Sequence, residues 1–288
     1  MNRNLFRLDR FATLNLSYPI HRIFRKDSDS AVPILMYHSI SDPDNRFLHP
    51  YFETCTSSKV FEEHIKYLSE NGYSSIGLDD LHGALKKGTN AGKYVVLTFD
   101  DGYLNFLDNA FPILDKYSFK ATVFLATGLM GKRRKDLLGK DIMGWSDARQ
   151  LQDKGIVFGS HTVNHLKLNR LPLEVLAVEI GESKKEIESR LGASPASFSY
   201  PYAFPEENVD FLGKYFEILE RCGYRTGVTT VIGRVGKGDN PLALKRLPIN
   251  DLDDLVLFKA KLDGAYDWVH VPQYLWKKYF NSTRKHNA

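Results

Sequence analysis

The residues best suited to chemistry lie in two short stretches. Asp100-Asp101-Gly102 follows the apolar run Tyr94-Val95-Val96-Leu97-Thr98-Phe99. Adjacent carboxylates at an extended strand end point in opposite directions, so one can bind a metal while the other faces a substrate. Asp and Gly also form turns, and a plain turn is the competing reading. The second stretch, His161-Thr162-Val163-Asn164-His165, follows Phe158-Gly159-Ser160. Imidazoles at i and i+4 share one face of a helical turn and can reach one ion. Thr162 stands where a His-Glu-x-x-His metalloprotease motif needs Glu. Two surface histidines are the bland alternative. Taken together, one carboxylate and two imidazoles form a set with open coordination positions. It suits Zn2+, with Co2+ or Ni2+ as alternatives. Such an ion lowers the pKa of a bound water from ~15.7 toward ~7 and polarises a carbonyl. The remaining carboxylate is then a ready general base. The constellation reads as metal-assisted hydrolysis of an acyl group.

These stretches need a scaffold that brings strand ends together. Apolar runs at 32–37, 94–99, 121–125, 156–158, 198–200 and 224–230 alternate with helical patterns at 59–71, 104–117, from Ser146, and at 173–191, 207–222 and 252–263. In the first helix Phe61, Ile65 and Leu68 recur at helical spacing, and Gly72 follows at the C′ position. Runs apolar on both faces belong to a parallel sheet covered by helices. About seven such units fit a distorted (β/α) barrel of parallel strands better than a doubly wound sheet. The sites of parallel α/β folds lie at the C-terminal strand ends, where both stretches fall. The expected organisation is a basic arm over 1–30, one catalytic domain over 31–265 and a tail over 266–288.

Composition narrows the function further. The chain has 288 residues, 43% hydrophobic and 26% charged, which is ordinary for a folded soluble domain and excludes pervasive disorder. No run approaches the ~20 apolar residues that span a bilayer. Cys55 and Cys222 cannot form a disulfide scaffold and read as buried thiols. A net charge of +4 does not argue for nucleic acid, and Lys132-Arg133-Arg134-Lys135 reads as a solvated loop. No Gly-x-Gly-x-x-Gly follows a strand and no phosphate loop occurs. Residues 1–26 carry Arg3, Arg7, Arg10, Arg22, Arg25 and Lys26 among Leu5, Phe6, Leu8, Phe11, Leu14 and Leu16, with Asp9 as the lone acid. Charges interrupt every apolar stretch, so no export signal is read and a cytoplasmic, membrane-associated location is expected. The arm is either packed or frayed on the protein, or rests on an anionic membrane surface.

The sequence Leu97-Thr98-Phe99-Asp100-Asp101-Gly102-Tyr103, followed by Ser160-His161-Thr162-Val163-Asn164-His165, resembles the polysaccharide deacetylases of carbohydrate esterase family 4. Ile34-Leu35-Met36-Tyr37-His38, Trp145, Phe198-Ser199-Tyr200-Pro201-Tyr202 and Leu244-Lys245-Arg246-Leu247-Pro248-Ile249 agree in order, so the resemblance covers about 32–250. It implies a distorted (β/α) barrel that removes acetyl groups from N-acetylated sugars. Asp100 is then the base, and Asp101, His161 and His165 are the metal ligands. The backbone N–H of Tyr202 would help stabilise the oxyanion, worth a few kcal/mol at the transition state.

The chain also departs from the family pattern. Ser199 stands where an Arg is common, Ala203 where Gly is usual, and Ser146 follows Trp145 where Asp is common. The absent Arg and Asp would contact each other, so their joint loss avoids a lone buried charge. The pattern is similar to the poly-N-acetylglucosamine deacetylases. The late His of the family's fifth motif is missing, and later in the chain only His270 and His286 occur. His38, at the end of the strand 32–37, is the best replacement as general acid, because imidazole is the side chain suited to proton donation near neutral pH. Tyr37 should point the other way. The expected substrate is an N-acetylated oligo- or polysaccharide. Removal of another small acyl group, and an inactive carbohydrate-binding module, are the alternatives.

Overall fold

Backbone polar groups of a strand that is apolar on both faces must be satisfied by neighbouring strands, and its side chains by helices. The computed structural model, which describes residues 7–24, 31–42, 53–87, 93–132 and 140–285, meets both demands with a barrel. The described strands are β1 (Ile34–Tyr37), β2 (Ser39–Ile40), β3 (Cys55–Thr56), β4 (Ser74–Ser75), β5 (Tyr94–Phe99), β6 (Thr122–Leu125), β7 (Val157–Ser160), β8 (Ser197–Ser199), β9 (Thr226–Ile232) and β10 (Leu244–Pro248). Seven run parallel in the order β1-β10-β9-β8-β7-β6-β5, and β1 pairs with β5 to close the ring. β4 adds to the outside edge of β5, and β2 pairs with β3 as a separate parallel ribbon. The expected distorted (β/α) barrel of seven parallel strands is the observed fold.

Strand alternation sorts the core. Leu35, Tyr37, Val95, Leu97, Phe99, Val123 and Leu125 pack with residues of the surrounding helices. Ile34, Val96, Phe124, Val228 and Leu244 form another cluster with Leu78, Leu81 and Leu85. Even-numbered residues of β1, β5 and β10 therefore share the second face, and Thr98 and Arg246 continue that parity toward the C-terminal end. The helices are α1 (Leu8–Ala12), α2 (Tyr18–Phe24), α3 (Ser58–Glu70), α4 (Leu78–Lys87), α5 (Phe111–Lys116), α6 (Trp145–Asp153), α7 (Leu173–Leu191), α8 (Val209–Arg221), α9 (Leu255–Asp263) and α10 (His270–Lys285). Ser57 caps α3 by accepting from the Val60 N–H, and Gly72 beyond its end has φ +72°, where a Cβ would be strained.

Several elements differ from the sequence expectation. α4 was not anticipated, and α10 occupies most of what reads as a tail. The stretch 104–117 is broken, with a π-helical turn over Phe106–Ala110 before α5, which begins with Pro112 in its first turn. Lys132 is described, but Arg133, Arg134 and Lys135 lie outside the described residues, as do Arg3, Arg25, Lys26 and His286.

The described part of the arm packs on the barrel. α1 and α2 are joined by a π-helical segment, Thr13–Ser17. Arg7 donates to Asp9 (2.5 Å) and to Asp253 (3.0 Å), and Tyr266 Oη donates to Asp9 (2.7 Å). Ser17 donates to the Ala265 carbonyl, Tyr18 to Asp263, and Trp268 Nε1 to Thr13. Asp253 also receives the buried Lys261 Nζ at 2.8 Å. Paired in this way, burial of ions is tolerable. No helix among the described residues is long and apolar enough to cross a membrane.

Candidate active site

β5 ends at Phe99, and the chain turns at once. Asp101 (φ +73°) and Gly102 (φ +66°) are both left-handed. Asp tolerates that region better than most residues, and a Cβ on Gly102 would stand 2.8 Å from Leu125 Cδ2. The turn brings the Asp101 carboxylate to His161 and His165 beyond β7, while Asp100 meets Arg246 of β10. Both are buried.

After β7 the chain does not form the helical turn expected from the His-x-x-x-His spacing. Residues 161–165 are a loop, and Thr162 (φ +70°) and His165 (φ +55°) are left-handed. A β-branched residue there is strained by about 1–3 kcal/mol. Local bonds hold the strain in place. Thr162 Oγ1 accepts the His165 N–H (2.8 Å), and the buried Glu179 of α7 accepts the Val163 and Asn164 N–H groups (3.1 and 2.8 Å) and the Asn164 side chain (2.7 Å). The two imidazoles still converge, because the loop folds back on itself.

Asp101, His161 and His165 offer one ligand atom each, all within 4.8 Å of one another. Asp101 Oδ1 is buried without a hydrogen-bond partner, 3.6 Å from His161 Nε2 and 3.3 Å from His165 Nε2. His161 Nδ1 lies 2.7 Å from the Ser199 carbonyl, which can only accept, so Nδ1 carries the proton and Nε2 presents a lone pair. A lone pair facing a carboxylate oxygen across such a gap calls for a cation between them. Donors about 2.0–2.1 Å from one tetrahedral Zn2+ lie about 3.4 Å apart, so the spacing fits such an ion. His165 Nδ1 is 3.2 Å from Tyr202 Oη, the kind of outer bond that orients a ligating imidazole.

Asp100 is held differently. Arg246 of β10, fully buried, grips it with two parallel bonds, Nη1 to Oδ1 (2.8 Å) and Nη2 to Oδ2 (2.7 Å). The other three guanidinium hydrogens go to Thr98 Oγ1 (3.2 Å), Ser199 Oγ (3.1 Å) and the Thr229 carbonyl (2.8 Å). All five donors of the fork are thereby used. Ser199 Oγ lies 3.3 Å from both Asp100 oxygens. Burial alone would push the Asp100 carboxyl up, but the Arg246 guanidinium holds it well below the usual carboxylate range. The position next to Phe198 is Ser199, and the guanidinium arrives from β10.

His38 follows β1 at the same C-terminal rim, half-buried and close enough to favour the ionised form of Asp100. Tyr37 points away, and its Oη meets His64 Nδ1 (3.2 Å) in the core. Tyr202 (φ +59°) lies in the loop after β8 with its side chain 46% exposed, beneath the Lys167 ammonium 5.3 Å from the ring centre. Arg246 and Glu179 were not read as functional from the sequence. The signal for Arg246 is a charge at an inward position of an apolar strand, Leu244-x-Arg246-x-Pro248.

The family model for polysaccharide deacetylase matches residues 87–227. The Bacillus subtilis protein YxkH, assigned by name to the polysaccharide deacetylases, is 32% identical over 231 residues, covering 78% of this chain and 74% of that protein. The poly-β-1,6-N-acetyl-D-glucosamine N-deacetylase of Staphylococcus aureus is 23% identical, covering 80% of this chain and 86% of that one. Among solved structures, the Streptococcus pyogenes deacetylase PplD in complex with acetate is 26% identical with a TM-score of 0.69, covering 81% of this chain and 98% of that chain. IcaB from Ammonifex degensii shares the fold, with a TM-score of 0.67 at 22% identity, covering 81% and 97% of the two chains. A relative 32% identical over most of both chains and a solved deacetylase of like fold carry the conclusion: this chain belongs to the polysaccharide deacetylase family, carbohydrate esterase family 4, hydrolases of N-acetyl amide bonds.

Proposed function

We propose that this hydrolase removes N-acetyl groups from the amino sugars of a poly-N-acetylglucosamine-type polysaccharide or its precursor, in the synthesis of a surface polysaccharide, and that it depends on a divalent metal. The observation that carries the chemistry is the pairing of a carboxylate kept in its basic form, Asp100 on Arg246, with the orphaned Asp101 oxygen between two imidazoles. The substrate class rests on likeness to the S. aureus enzyme. Asp101, His161 and His165 would hold the ion, which we read as Zn2+. When bound, it supplies Lewis acidity to a water and to the acetyl carbonyl. Asp100 takes the proton of the attacking water on a carboxylate oxygen, and Arg246 keeps that oxygen aimed and charged until then. The Tyr202 backbone N–H donates to the developing oxyanion, and His38 delivers a proton to the departing amine nitrogen. Tyr202 Oη and the Ser199 carbonyl fix the two ligating rings.

Acetate release from β-1,6-linked N-acetylglucosamine oligomers by metal-loaded protein tests the reading. Turnover of these, with none of N-formyl or O-acetyl analogues, supports it. Release from O-acetyl sugars alone would replace it with the other acyl reading. Metal uptake and glycan binding without any release would favour a binding module.

The arm supports a peripheral membrane contact. While its inner side packs on the barrel, α1, α2 and their connection expose Leu16, Ile20, Ile23 and Phe24, the last two about three-quarters exposed. Such a face suits the interface of a bilayer. Arg7 and Arg10, however, are engaged with Asp9, Asp253 and Asp254, so apolar insertion rather than these charges would carry the contact. Ile23→Glu with Phe24→Glu should reduce sedimentation with anionic vesicles several-fold. Unchanged sedimentation would remove the arm from any membrane role.

A further inference from the structure

The short ribbon beside His38 carries a cluster that the hydrolysis does not use. Cys55 of β3, only 2% exposed, faces the half-buried Lys140. The Lys140 Nζ donates to Ser39 Oγ (2.7 Å) and Ser41 Oγ (2.6 Å), and it is in direct contact with Cys55 Sγ. Asn105 Nδ2 donates to Ser39 Oγ (2.7 Å), and Ser41 Oγ lies 3.8 Å from Cys55 Sγ. The three donors of an ammonium are thus directed at two hydroxyls and one sulfur. This geometry holds the Lys140 nitrogen, a nucleophile once it gives up a proton, against a sulfur that, like any cysteine, can be oxidised. The other cysteine, Cys222, lies elsewhere, between α8 and β9.

We propose that Cys55 and Lys140 are a redox modification site, joined under peroxide by a covalent S–O–N bridge. One thiol and one amine react with two molecules of hydrogen peroxide: the S–H bond, two O–O bonds and one N–H bond break, and one S–O and one O–N bond form. The products are the bridge and three waters, so sulfur and nitrogen together lose four electrons and the peroxide gains them. Four equivalents of a small thiol return the free cysteine and lysine, one water and two disulfides. The bridge spans 85 residues of chain. It also bears on the site: Lys140 leads into Asp141 and Ile142, whose backbone pairs with Leu104 and Tyr103 just after the Asp101-Gly102 turn, and Ser39 follows His38.

The test is mass mapping of the full-length protein before and after hydrogen peroxide. The expected result is a joined pair of peptides containing Cys55 and Lys140, heavier than their sum by one oxygen less two hydrogens. Dithiothreitol should separate them. Lys140→Arg and Cys55→Ser should each abolish the joined species, while Cys222→Ser keeps it. Cys55 found free, or oxidised on sulfur alone to the same extent in wild type and Lys140→Arg, would overturn the proposal.

Discussion

Asp100 is a carboxylate with almost no contact with bulk water, and Arg246 is what makes its charge tolerable. Breaking a buried pair by removing one partner costs roughly 3–5 kcal/mol. Arg246→Met should therefore lower stability by about that amount in urea unfolding. It should also let burial raise the Asp100 pKa. A base works only when deprotonated, so the acid limb of the kcat/KM profile should move to higher pH. An unmoved limb would mean that Arg246 does not set the charge of the base. Pairing the change with Asp100→Leu should recover most of the stability, because no ion is then left alone. His38 makes a separate claim at this scale. His38→Gln should slow turnover of an N-acetyl sugar by ~10²-fold or more, while an activated ester, whose leaving group needs no proton, is much less affected. Equal losses on both substrates would make His38 a positioning residue. The Asp-Asp and His-x-x-x-His spacings are legible because their members are near neighbours in sequence. Arg246 was harder to read, because it meets Asp100 across 146 residues of chain and its inward position in an apolar strand does not say which carboxylate it serves.

At the scale of elements, the strands were readable because burial on both faces leaves continuous apolar runs. The helical turn at 161–165 was misjudged because His spacing reports which side chains can converge, not which backbone brings them together. Here a loop clamped by Glu179 does so. α3 and β1 are joined by a buried histidine. His64 Nε2 donates to the Asp253 carbonyl (2.8 Å), so its Nδ1 accepts from Tyr37 Oη, and its ring stacks on Phe258 at 4.0 Å. Burial lowers its pKa to about 4. With a folded pKa below the unfolded ~6.5, the unfolded chain binds the extra proton in between, so stability is full above ~6.5 and falls as pH drops. The loss by pH 4 should be roughly 3 kcal/mol from this group. In urea titrations from pH 7 to 4, His64→Gln should show a correspondingly flatter decline. A decline as steep as that of the wild type would assign the acid sensitivity to other groups.

For the whole molecule, the closed ring converts distant pieces of sequence into one rim. Strands β1, β5, β7 and β8 each deliver a residue of the site at or just after their C-terminal ends, and β10 sends Arg246 in from its middle. The arm reads as peripheral because its polar anchors are single residues, yet Arg7, Asp9 and Thr13 tie it to the turn before α9 and to the segment before α10. The central claim is a division of labour between two adjacent carboxylates, and parallel metal content and acetate release in two variants test it most directly. Asp101→Asn should lose both metal and activity. Asp100→Asn, which leaves every ligand in place, should bind metal like the wild type while acetate release from an N-acetylglucosamine oligomer falls by ~10²–10⁴-fold. Full activity in Asp100→Asn, or full metal content in Asp101→Asn, would contradict the account.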